Sequence, residues 1–277
     1  MNTQDPDQAR DDDGGRSSPD SLFDGELDDA SAADGAADAP PARRAPPPVP
    51  GLFFDPGFRV PESLARDVYA FCKSTYFRSR GADQVMLFER APIPRRSDEA
   101  RESPSTSFSL PAALLTLLHT LSVQLSPHLP PSTRDLLFPA APTRARQIII
   151  NLYAPGEGIS AHVDLLRRYG DGIIGVSLGS GCVMRFRDVG NDGAAHESYN
   201  PVTDNDANPD HPTHDVYLPA GSVYVMTGDA RYRWTHGIER RRADLVEAGT
   251  GEGAEWIERG ERISVTFRWM LEGGDVL

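Results

Sequence analysis

The sequence predicts a mainly β protein, a double-sheet sandwich or jelly roll with flanking helices packed on one side. The first observation is that two amphipathic helical segments precede a long β-rich part, in which about seven short apolar runs alternate with turns rich in Gly, Pro, Asn and Asp. The second observation is the last of these runs, residues 262–268, where apolar and polar residues alternate strictly. Such alternation is typical of a strand whose two faces meet different surroundings.

The first 50 residues are expected to form a disordered tail, and residues 51–277 a single folded domain. The tail is rich in Asp, Ala, Gly, Ser and Pro, has almost no aromatic residues for a core, and carries −8 of the net charge of −13. The remaining net charge of −5 gives no overall basic surface of the kind that binds nucleic acid. A local basic groove is compatible with that balance.

Cysteine usage and hydropathy favour an intracellular protein, in the nucleus or the cytoplasm. The chain has 2 cysteines, Cys72 and Cys182, whose separation excludes a CxxC motif and provides no disulfide framework. No apolar run approaches the roughly 20 residues of a membrane span, and the N-terminus lacks the pattern of a signal peptide. We expect a monomer that does not contact membranes.

The helical part is predicted from two segments. Pro61 opens the first helix, which extends to about residue 77 and carries an apolar stripe at spacings of three and four. Residues 112–125 form the second helix. Between them, a short strand is predicted at 85–88 and a Pro- and Arg-rich loop at 90–106. Residues 126–143 are assigned to a further loop.

The β-rich part follows from residue 146. Apolar, β-branched and aromatic residues cluster there in short runs, and turns such as Gly179-Ser180-Gly181 separate them. Two polar stretches, residues 188–215 and 243–260, are interpreted as loops inserted between strands. The predicted strands are residues 148–153, 161–165, 173–178, 183–186, 215–218, 222–226, 234–238 and 262–269.

The run His162-Val163-Asp164 indicates a metal site. Side chains two apart on a strand share a face, so the imidazole and the carboxylate would enter the same space. His236, in the run Trp-Thr-His-Gly, is the best candidate for a third ligand. Two histidines and one carboxylate are the usual facial triad of a non-haem ferrous ion. The alternative is a surface histidine that happens to lie near an aspartate.

The closing strand offers the triad an anion-binding neighbour. Arg262 and Arg268 share its polar face, and if that face lines the interior, two buried guanidinium groups need anionic partners. A dicarboxylate ligand would satisfy both. Asn151 and Tyr153, which share a face of an earlier strand, would hydrogen-bond a buried carboxylate. The alternatives are an exposed edge strand with solvated arginines, and an ordinary core Asn and Tyr.

Taken together, these motifs resemble the AlkB family of Fe(II)/2-oxoglutarate dioxygenases. The order is Asn-x-Tyr, Pro-Gly, His-x-Asp, Val-Ser-Leu-Gly, His-Gly-Ile and Arg-x-Ser-x-Thr-Phe-Arg. The resemblance covers about residues 51–270 and is strongest over 147–268. Within the family, Met226-Thr227-Gly228 and the segment from Trp234 to Ile238 are most similar to the oxygenase domain of its tRNA-hydroxylating members.

The resemblance implies a double-stranded β-helix fold, with Fe(II), 2-oxoglutarate as co-substrate, and O2. It implies three iron ligands, His162, Asp164 and His236. The residues that it implies for holding 2-oxoglutarate are Asn151, Tyr153, Arg262 at the distal carboxylate and Arg268 near the metal-side carboxylate. Residues 86–90 and the loop with Arg95 and Arg96 match, loosely, the lid that covers a nucleotide in the family.

The function that the resemblance implies is oxidation of an alkyl group on a nucleobase in DNA or RNA, by demethylation or hydroxylation. A basic rim for phosphates is predicted at Arg90, Arg95, Arg96, Arg101, Arg167 and Arg168. The first alternative is the same oxygenase chemistry on a protein side chain or a small molecule, which the mild acidity favours. The second is a non-catalytic binding module.

Overall fold

The computed structural model describes residues 40–78, 82–89, 110–190 and 211–272. Within them, two antiparallel sheets face each other, and helices cover the outside of the larger sheet. The predicted mainly β class and the jelly-roll arrangement with helices on one side are therefore confirmed. The part of the predicted tail up to residue 39 and the arginines of the loop at 90–106 lie outside the described residues.

The helices are α1 (Glu62–Tyr76), α2 (Ala112–Leu125), α3 (Pro131–Leu137) and α4 (Asp229–Tyr232). The strands are β1 (Leu52–Arg59), β2 (Gln84–Glu89), β3 (Arg146–Tyr153), β4 (Ile159–His162), β5 (Tyr169–Gly179), β6 (Cys182–Asp188), β7 (Thr213–Leu218), β8 (Ser222–Met226), β9 (Trp234–Ile238), β10 (Ala243–Glu247), β11 (Ala254–Glu258) and β12 (Arg262–Met270). The larger sheet has the order β1-β8-β5-β12-β3-β2 and the smaller one β4-β9-β6-β7, while β10 and β11 pair as a hairpin. No helix in these described ranges is long and apolar enough to cross a membrane.

The strand β12 separates an outer core from the space between the sheets. It pairs along its length with β3 on one side and β5 on the other, so it is a central strand. Ile263, Val265 and Phe267 pack into the outer core beneath α1 and α2. Arg262 and Arg268 face the space between the sheets and are 4% and 8% exposed. The alternative of an exposed edge strand with solvated arginines is therefore wrong.

The helix α3 lies where the sequence predicts a loop. Pro131 occupies the first turn of this helix, where the fixed φ of proline favours helix formation and the missing N–H costs nothing. The helix ends on Leu137, which is 2% exposed and packs against the start of β5 near Gly172. Leu136 and Leu137 are adjacent apolar residues at the end of a polar segment, and such a pair is too short to show the periodicity that predicts a helix.

The hairpin of β10 and β11 lies where the sequence predicts a polar insert. Asp244 and Val246, on the inner face of β10, are both fully buried. Arg259 donates two hydrogen bonds of 2.6 Å to the carboxylate of Asp244, and Arg241 donates a third of 2.7 Å. The polar residues thus neutralise one another inside the hairpin, which is why composition alone indicated a solvated loop.

Residues 42–44 lie in the segment for which the sequence predicts disorder, and they join this hairpin to the smaller sheet. The backbone N–H of Ala42 donates to the carbonyl of Leu245 at 2.9 Å, and that of Arg43 donates to Asp215 at 3.0 Å. Ala42 is 2% exposed. Because backbone hydrogen bonds do not depend on side-chain type, a Pro- and Ala-rich segment can be ordered here, and the packed part of the chain extends N-terminal of residue 51.

The strand β4 ends at His162 rather than continuing to residue 165. Its pairing with β9 stops at His162, which lies opposite His236. Beyond that point the carbonyl groups of Asp164 and Leu165 accept hydrogen bonds from the buried side chain of Arg231 instead of from a neighbouring strand. Asp164 therefore enters the space between the sheets from a turn, next to the end of the strand.

Candidate active site

Three side chains converge between the sheets at the edge formed by β4 and β9. One ligand atom each from His162, Asp164 and His236 can be chosen so that all lie within 4.8 Å of one another. The two imidazole centroids are 4.4 Å apart, because the histidines face each other across paired strands. Nε2 of His236 lies 3.8 Å from Oδ2 of Asp164. Within the described ranges, no other cluster of His, Cys, Asp and Glu has this geometry.

A glycine allows the two histidine strands to approach. Gly237 follows His236 on β9, and a Cβ at Gly237 would lie 2.8 Å from the Cα of Ala161 on β4. Any side chain there would push the strands apart. The His-Gly pair in the sequence therefore has a local packing reason, namely the close contact that places His236 opposite His162.

Both histidines are held in the neutral form. Burial, the largest influence, lowers the pKa of His236 to about 3, and burial likewise lowers the pKa of His162. Nδ1 of His162 lies 2.8 Å from the carbonyl oxygen of Ser160. A carbonyl can only accept a hydrogen bond, so Nδ1 carries the proton and Nε2 presents its lone pair to the centre of the cluster.

Asp164 is anionic and is fixed by a buried ion pair. Its Oδ1 accepts a hydrogen bond from Nη1 of Arg268, while Oδ2 faces His236. Burial alone would raise the pKa of this carboxyl group, but the charge of Arg268, the next largest influence, holds the pKa well below its usual range. Because Oδ1 is engaged, the carboxylate is oriented to offer one oxygen to the space between the two histidines.

Arg268 lines the cavity and also contacts the triad. Besides Asp164, it donates a hydrogen bond of 2.7 Å from Nε to Oε1 of Gln147, and its guanidinium lies 3.6 Å from the centroid of the Tyr169 ring. Sequence reasoning expected Arg268 near the metal-side carboxylate of 2-oxoglutarate, and that contact remains a prediction. The carboxylate that it contacts in the protein is the one in the triad itself.

Arg231 is a functional candidate that sequence reasoning missed. It is 1% exposed, and its guanidinium donates hydrogen bonds to four backbone carbonyls in the segment that carries Asp164. The acceptors and distances are Asp164 at 2.9 Å, Tyr169 at 3.0 Å, Gly170 at 3.2 Å and Leu165 at 3.3 Å. The sequence motif that precedes His236 contains Arg231, but a sequence does not show that the hydrogen-bond partners of this arginine are backbone carbonyls.

The same cavity extends from the triad to buried polar side chains of β3 and β12. Its lining joins the triad to Asn151 and Tyr153 of β3 and to Arg262 of β12. Arg262 donates a hydrogen bond of 2.8 Å from Nε to Oγ of Ser177, and Tyr153 lies beside the guanidinium with its ring centroid 4.9 Å away. Among the described residues, Nη1 of Arg262 and Oδ1 of Asn151 are buried and have no hydrogen-bond partner. All seven residues predicted for the site therefore line one cavity.

The residues present fit a divalent ion and a small anion. Two neutral imidazole nitrogens and one carboxylate oxygen form a donor set that suits Fe(II) and leaves other coordination positions open. The buried, unpaired Nη1 of Arg262 suits a carboxylate, because a charged donor without a partner is costly inside a protein.

Arginines also lie beside the segment that carries Asp164. Arg167 is exposed and Arg168 is half-buried, and both belong to the turn between β4 and β5. Nη1 of the exposed Arg144 lies 3.4 Å from where a Cβ of Gly170 would be. The remaining arginines of the predicted basic rim, Arg90, Arg95, Arg96 and Arg101, lie outside the described residues.

Comparison with known proteins identifies similar chains. Residues 73–268, more than half of the chain, match the model of the 2OG-Fe(II) oxygenase superfamily. An uncharacterised protein, L905, of Acanthamoeba polyphaga mimivirus is 37% identical over 126 residues, which are 46% of this chain and 49% of that protein. The tRNA (carboxymethyluridine(34)-5-O)-methyltransferase ALKBH8 of Mus musculus is 38% identical over 132 residues, 44% of this chain and 17% of that protein.

A third relative is named as a dioxygenase and as an AlkB homolog. The mitochondrial alpha-ketoglutarate-dependent dioxygenase alkB homolog 7 of Bos taurus is 32% identical over 119 residues, which are 43% of this chain and 43% of that protein. The chain thus spans about half or less of the length of the curated relatives that it matches.

Proposed function

Because the chain belongs to the 2OG-Fe(II) oxygenase superfamily, and is AlkB-like within it, we propose that it oxidises an alkyl group on a nucleobase of DNA or RNA. Its chemistry is demethylation or hydroxylation, with Fe(II), 2-oxoglutarate and O2 as the family's cofactor and co-substrates. The observation that carries this function is the buried cluster of His162, Asp164 and His236, which shares one cavity with Arg262, whose buried Nη1 has no hydrogen-bond partner among the described residues.

In this proposal the imidazoles of His162 and His236 and the carboxylate of Asp164 would hold the iron. When bound, iron and 2-oxoglutarate supply the oxidation: O2 is reduced, 2-oxoglutarate loses CO2 to become succinate, and a substrate C–H group becomes C–OH. On an N-methyl group the hydroxymethyl product releases formaldehyde and leaves the demethylated base. Every other part of the task, namely binding, orientation and exclusion of water, belongs to the protein.

The protein residues divide this work along the cavity. Arg262 binds the distal carboxylate of 2-oxoglutarate, and Asn151 and Tyr153 support it from β3. Arg268 keeps Asp164 ionised and oriented, so that the carboxylate is ready to bind the ion without rearranging. The low pKa of His236 keeps its imidazole available as a ligand at neutral pH.

The nucleobase assignment rests on charge near the cavity and on one relative. Arg144, Arg167 and Arg168 lie beside the turn that holds Asp164, where they can contact phosphates that flank a target nucleotide. The name of the ALKBH8 relative refers to tRNA. A base within a duplex would have to be flipped out to reach the triad, whereas a base in a single-stranded loop would not.

The second candidate is the same oxygenase acting on a protein side chain or a small molecule. The net charge of −5 outside the first 50 residues favours this candidate, because nucleic-acid binding domains are commonly basic. The two candidates differ in their dependence on salt, since only phosphate contacts release many counterions on binding.

Mass spectrometry of nucleoside and peptide products tests the proposal. The 277-residue chain is incubated with Fe(II), 2-oxoglutarate and separate pools of tRNA, methylated single-stranded DNA and peptides. We expect an oxidised or demethylated nucleoside that is absent with Asp164→Ala and reduced with the pair Arg167→Ala and Arg168→Ala at moderate salt. The pair Arg59→Ala and Arg66→Ala, two exposed arginines on β1 and α1, serves as the charge-matched control. A modified peptide without any nucleoside product would contradict the nucleobase assignment.

A further inference from the structure

A groove beside α1 lies apart from the cavity between the sheets. It is formed by α1, the end of β1 and the turns that follow β5 and β7, and among the described residues it shares no lining residue with that cavity. Its volume is about 730 Å³, which is within the range of ligand sites in proteins. The side chains on its floor are apolar or aromatic, namely Val60, Ala65, Tyr69 and Ala220.

The groove is open because glycines form part of its wall. Gly179 ends β5 and Gly221 precedes β8, and both line the groove. Their φ angles are +84° and +79°, values that other residues rarely adopt. A Cβ at Gly179 would lie 2.8 Å from Cε2 of Tyr69. Both turns therefore approach α1 without a side chain that fills the groove, and the apolar floor stays accessible.

The rim of the groove carries a net positive charge. Arg59 and Arg66 line it together with one acidic residue, Glu62. Arg59 is exposed, and the side chain of Arg66 is 71% exposed although it lies 3.2 Å from Glu62. Such exposed contacts are weak, so the apolar floor supplies most of the affinity for a ligand and the rim selects its charge. The groove thus suits a segment that is both apolar and acidic.

The chain itself contains a segment with this chemistry, residues 20–29. Its sequence is Asp-Ser-Leu-Phe-Asp-Gly-Glu-Leu-Asp-Asp, with five acidic residues and no basic one. Apart from Met1, the three large apolar residues of the first 39 positions, Leu22, Phe23 and Leu27, all lie in it. Phe23 and Leu27 are four residues apart, the spacing at which two side chains share one face of a helix.

The attachment point of this segment lies near the groove. The backbone of Arg43 is hydrogen-bonded to Asp215 and Tyr217 of β7, and Ala220 in the groove is three residues beyond Tyr217. Three extended residues span about 10 Å, whereas the 14 residues from Asp29 to Arg43 can span about 45 Å. The segment therefore reaches the groove of its own chain, at an effective concentration of millimolar order that favours it over a second copy.

We propose that the groove beside α1 binds residues 20–29 of the same chain, with Phe23 and Leu27 on the apolar floor and the carboxylates at the arginines of the rim. The groove is an interaction site separate from the triad, so this inference does not depend on the proposed function.

Photocrosslinking within the 277-residue chain tests this assignment. The photoreactive amino acid p-benzoylphenylalanine replaces Phe23, whose aromatic character it keeps. After irradiation, mass spectrometry of peptides identifies the residues that it joins. We expect crosslinks to residues 62–69 and 219–221, in a product with the mass of a monomer. The same amino acid in place of Ala33, which is closer to the attachment point, should give few crosslinks to the groove and so controls for the tether alone.

Variants in the groove separate docking from chance proximity. Ala65→Glu places a carboxylate on the groove floor, and we expect the crosslinking yield to fall roughly 10-fold or more, because like charges meet there and an apolar contact is lost. Ala70→Glu, an exposed position on the same helix outside the groove lining, is the matched control and should leave the yield within about twofold. Circular dichroism checks that both variants are folded.

A variant in the segment keeps the test decisive if Ala65→Glu does not fold. Leu27→Ser lies outside the described part of the fold and should lower the yield roughly fivefold or more, because it removes an apolar side chain from the groove. Ala30→Ser, just beyond the segment, should leave the yield unchanged. Crosslinks spread over the surface, or a yield that Leu27→Ser leaves unaltered, would overturn the assignment. A product with the mass of a dimer would also overturn it and would assign the groove to the segment of a second copy.

Discussion

The variant Arg231→Met tests whether one buried side chain fixes the turn that carries Asp164. Arg231 is 1% exposed and donates to four backbone carbonyls, two of them at 2.9 and 3.0 Å. A hydrogen bond from a charged donor contributes about 1.5–3 kcal/mol to stability. Counting only the two shorter bonds, and allowing for the packing that Met retains, we expect the free energy of unfolding to fall by about 3–5 kcal/mol.

That loss is large compared with the roughly 5–15 kcal/mol that stabilises a typical domain. In a domain of this size it corresponds to a fall in Tm of about 10 °C, which thermal unfolding followed by circular dichroism would measure. We also expect Mn²⁺ affinity to weaken by about 10- to 100-fold, since residues that orient a metal ligand have effects of that size. Arg231→Lys keeps the charge but not the planar fork, so it should give an intermediate loss.

The control for this prediction is Arg66→Met on α1. Arg66 is exposed and contacts only Glu62 one turn away, a pair of the kind that contributes at most about 1 kcal/mol. Its Tm and metal affinity should match those of the unaltered protein. If Arg231→Met unfolded at the same temperature as Arg66→Met and bound Mn²⁺ equally well, the inferred role of Arg231 in fixing the turn would be refuted.

Three further outcomes are expected. Asp164→Ala should abolish Mn²⁺ binding in calorimetry, and a variant that still binds the ion with unchanged affinity would contradict the proposed triad. Burial alone would raise the pKa of Asp244, but the hydrogen bonds from Arg259 hold this pKa below its usual range. The stability that the ionised carboxylate gives is present above about pH 3.9 and is lost as the pH falls further. In urea unfolding, the free energy of unfolding of Asp244→Asn should therefore decline less between about pH 5 and pH 3 than that of the unaltered protein. Deleting residues 1–46 should give a lower Tm than deleting 1–39, because only the longer deletion removes the hydrogen bonds of Ala42 to β10; equal Tm values for both deletions would contradict this reasoning.

The features of the fold and the site that could be predicted are those that depend on the alternation and spacing of side chains along the sequence. The polar and apolar faces of β12 are readable because strand geometry has a period of two, and the structure places Arg262 and Phe267 on opposite sides as that period requires. His162, Asp164 and His236 could be grouped because few residue types bind iron. Their convergence in one cavity was predictable, while their assignment as ligands remains a prediction.

The features that the sequence did not reveal depend on backbone groups or on contacts across strands. The partners of Arg231 are main-chain carbonyls, which every residue possesses, so no pattern of side chains indicates them. The groove beside α1 joins Tyr69 to Ala220, 151 residues later in the chain, and only the packing of α1 against the larger sheet brings the two together. The buried Asp244 looked like part of a solvated loop because its arginine partners are equally polar.

The anchors of the triad have a consequence for the order in which the protein folds and binds metal. Asp164 is held by Arg268 and His162 by the carbonyl of Ser160, so the shape of the site is set by contacts within the polypeptide. Small zinc domains differ, because there the energy of metal binding is the energy of folding. We therefore expect the chain to fold without the ion and to bind iron afterwards. Removal of the ion by a chelator would then yield a folded protein that regains activity when iron is restored.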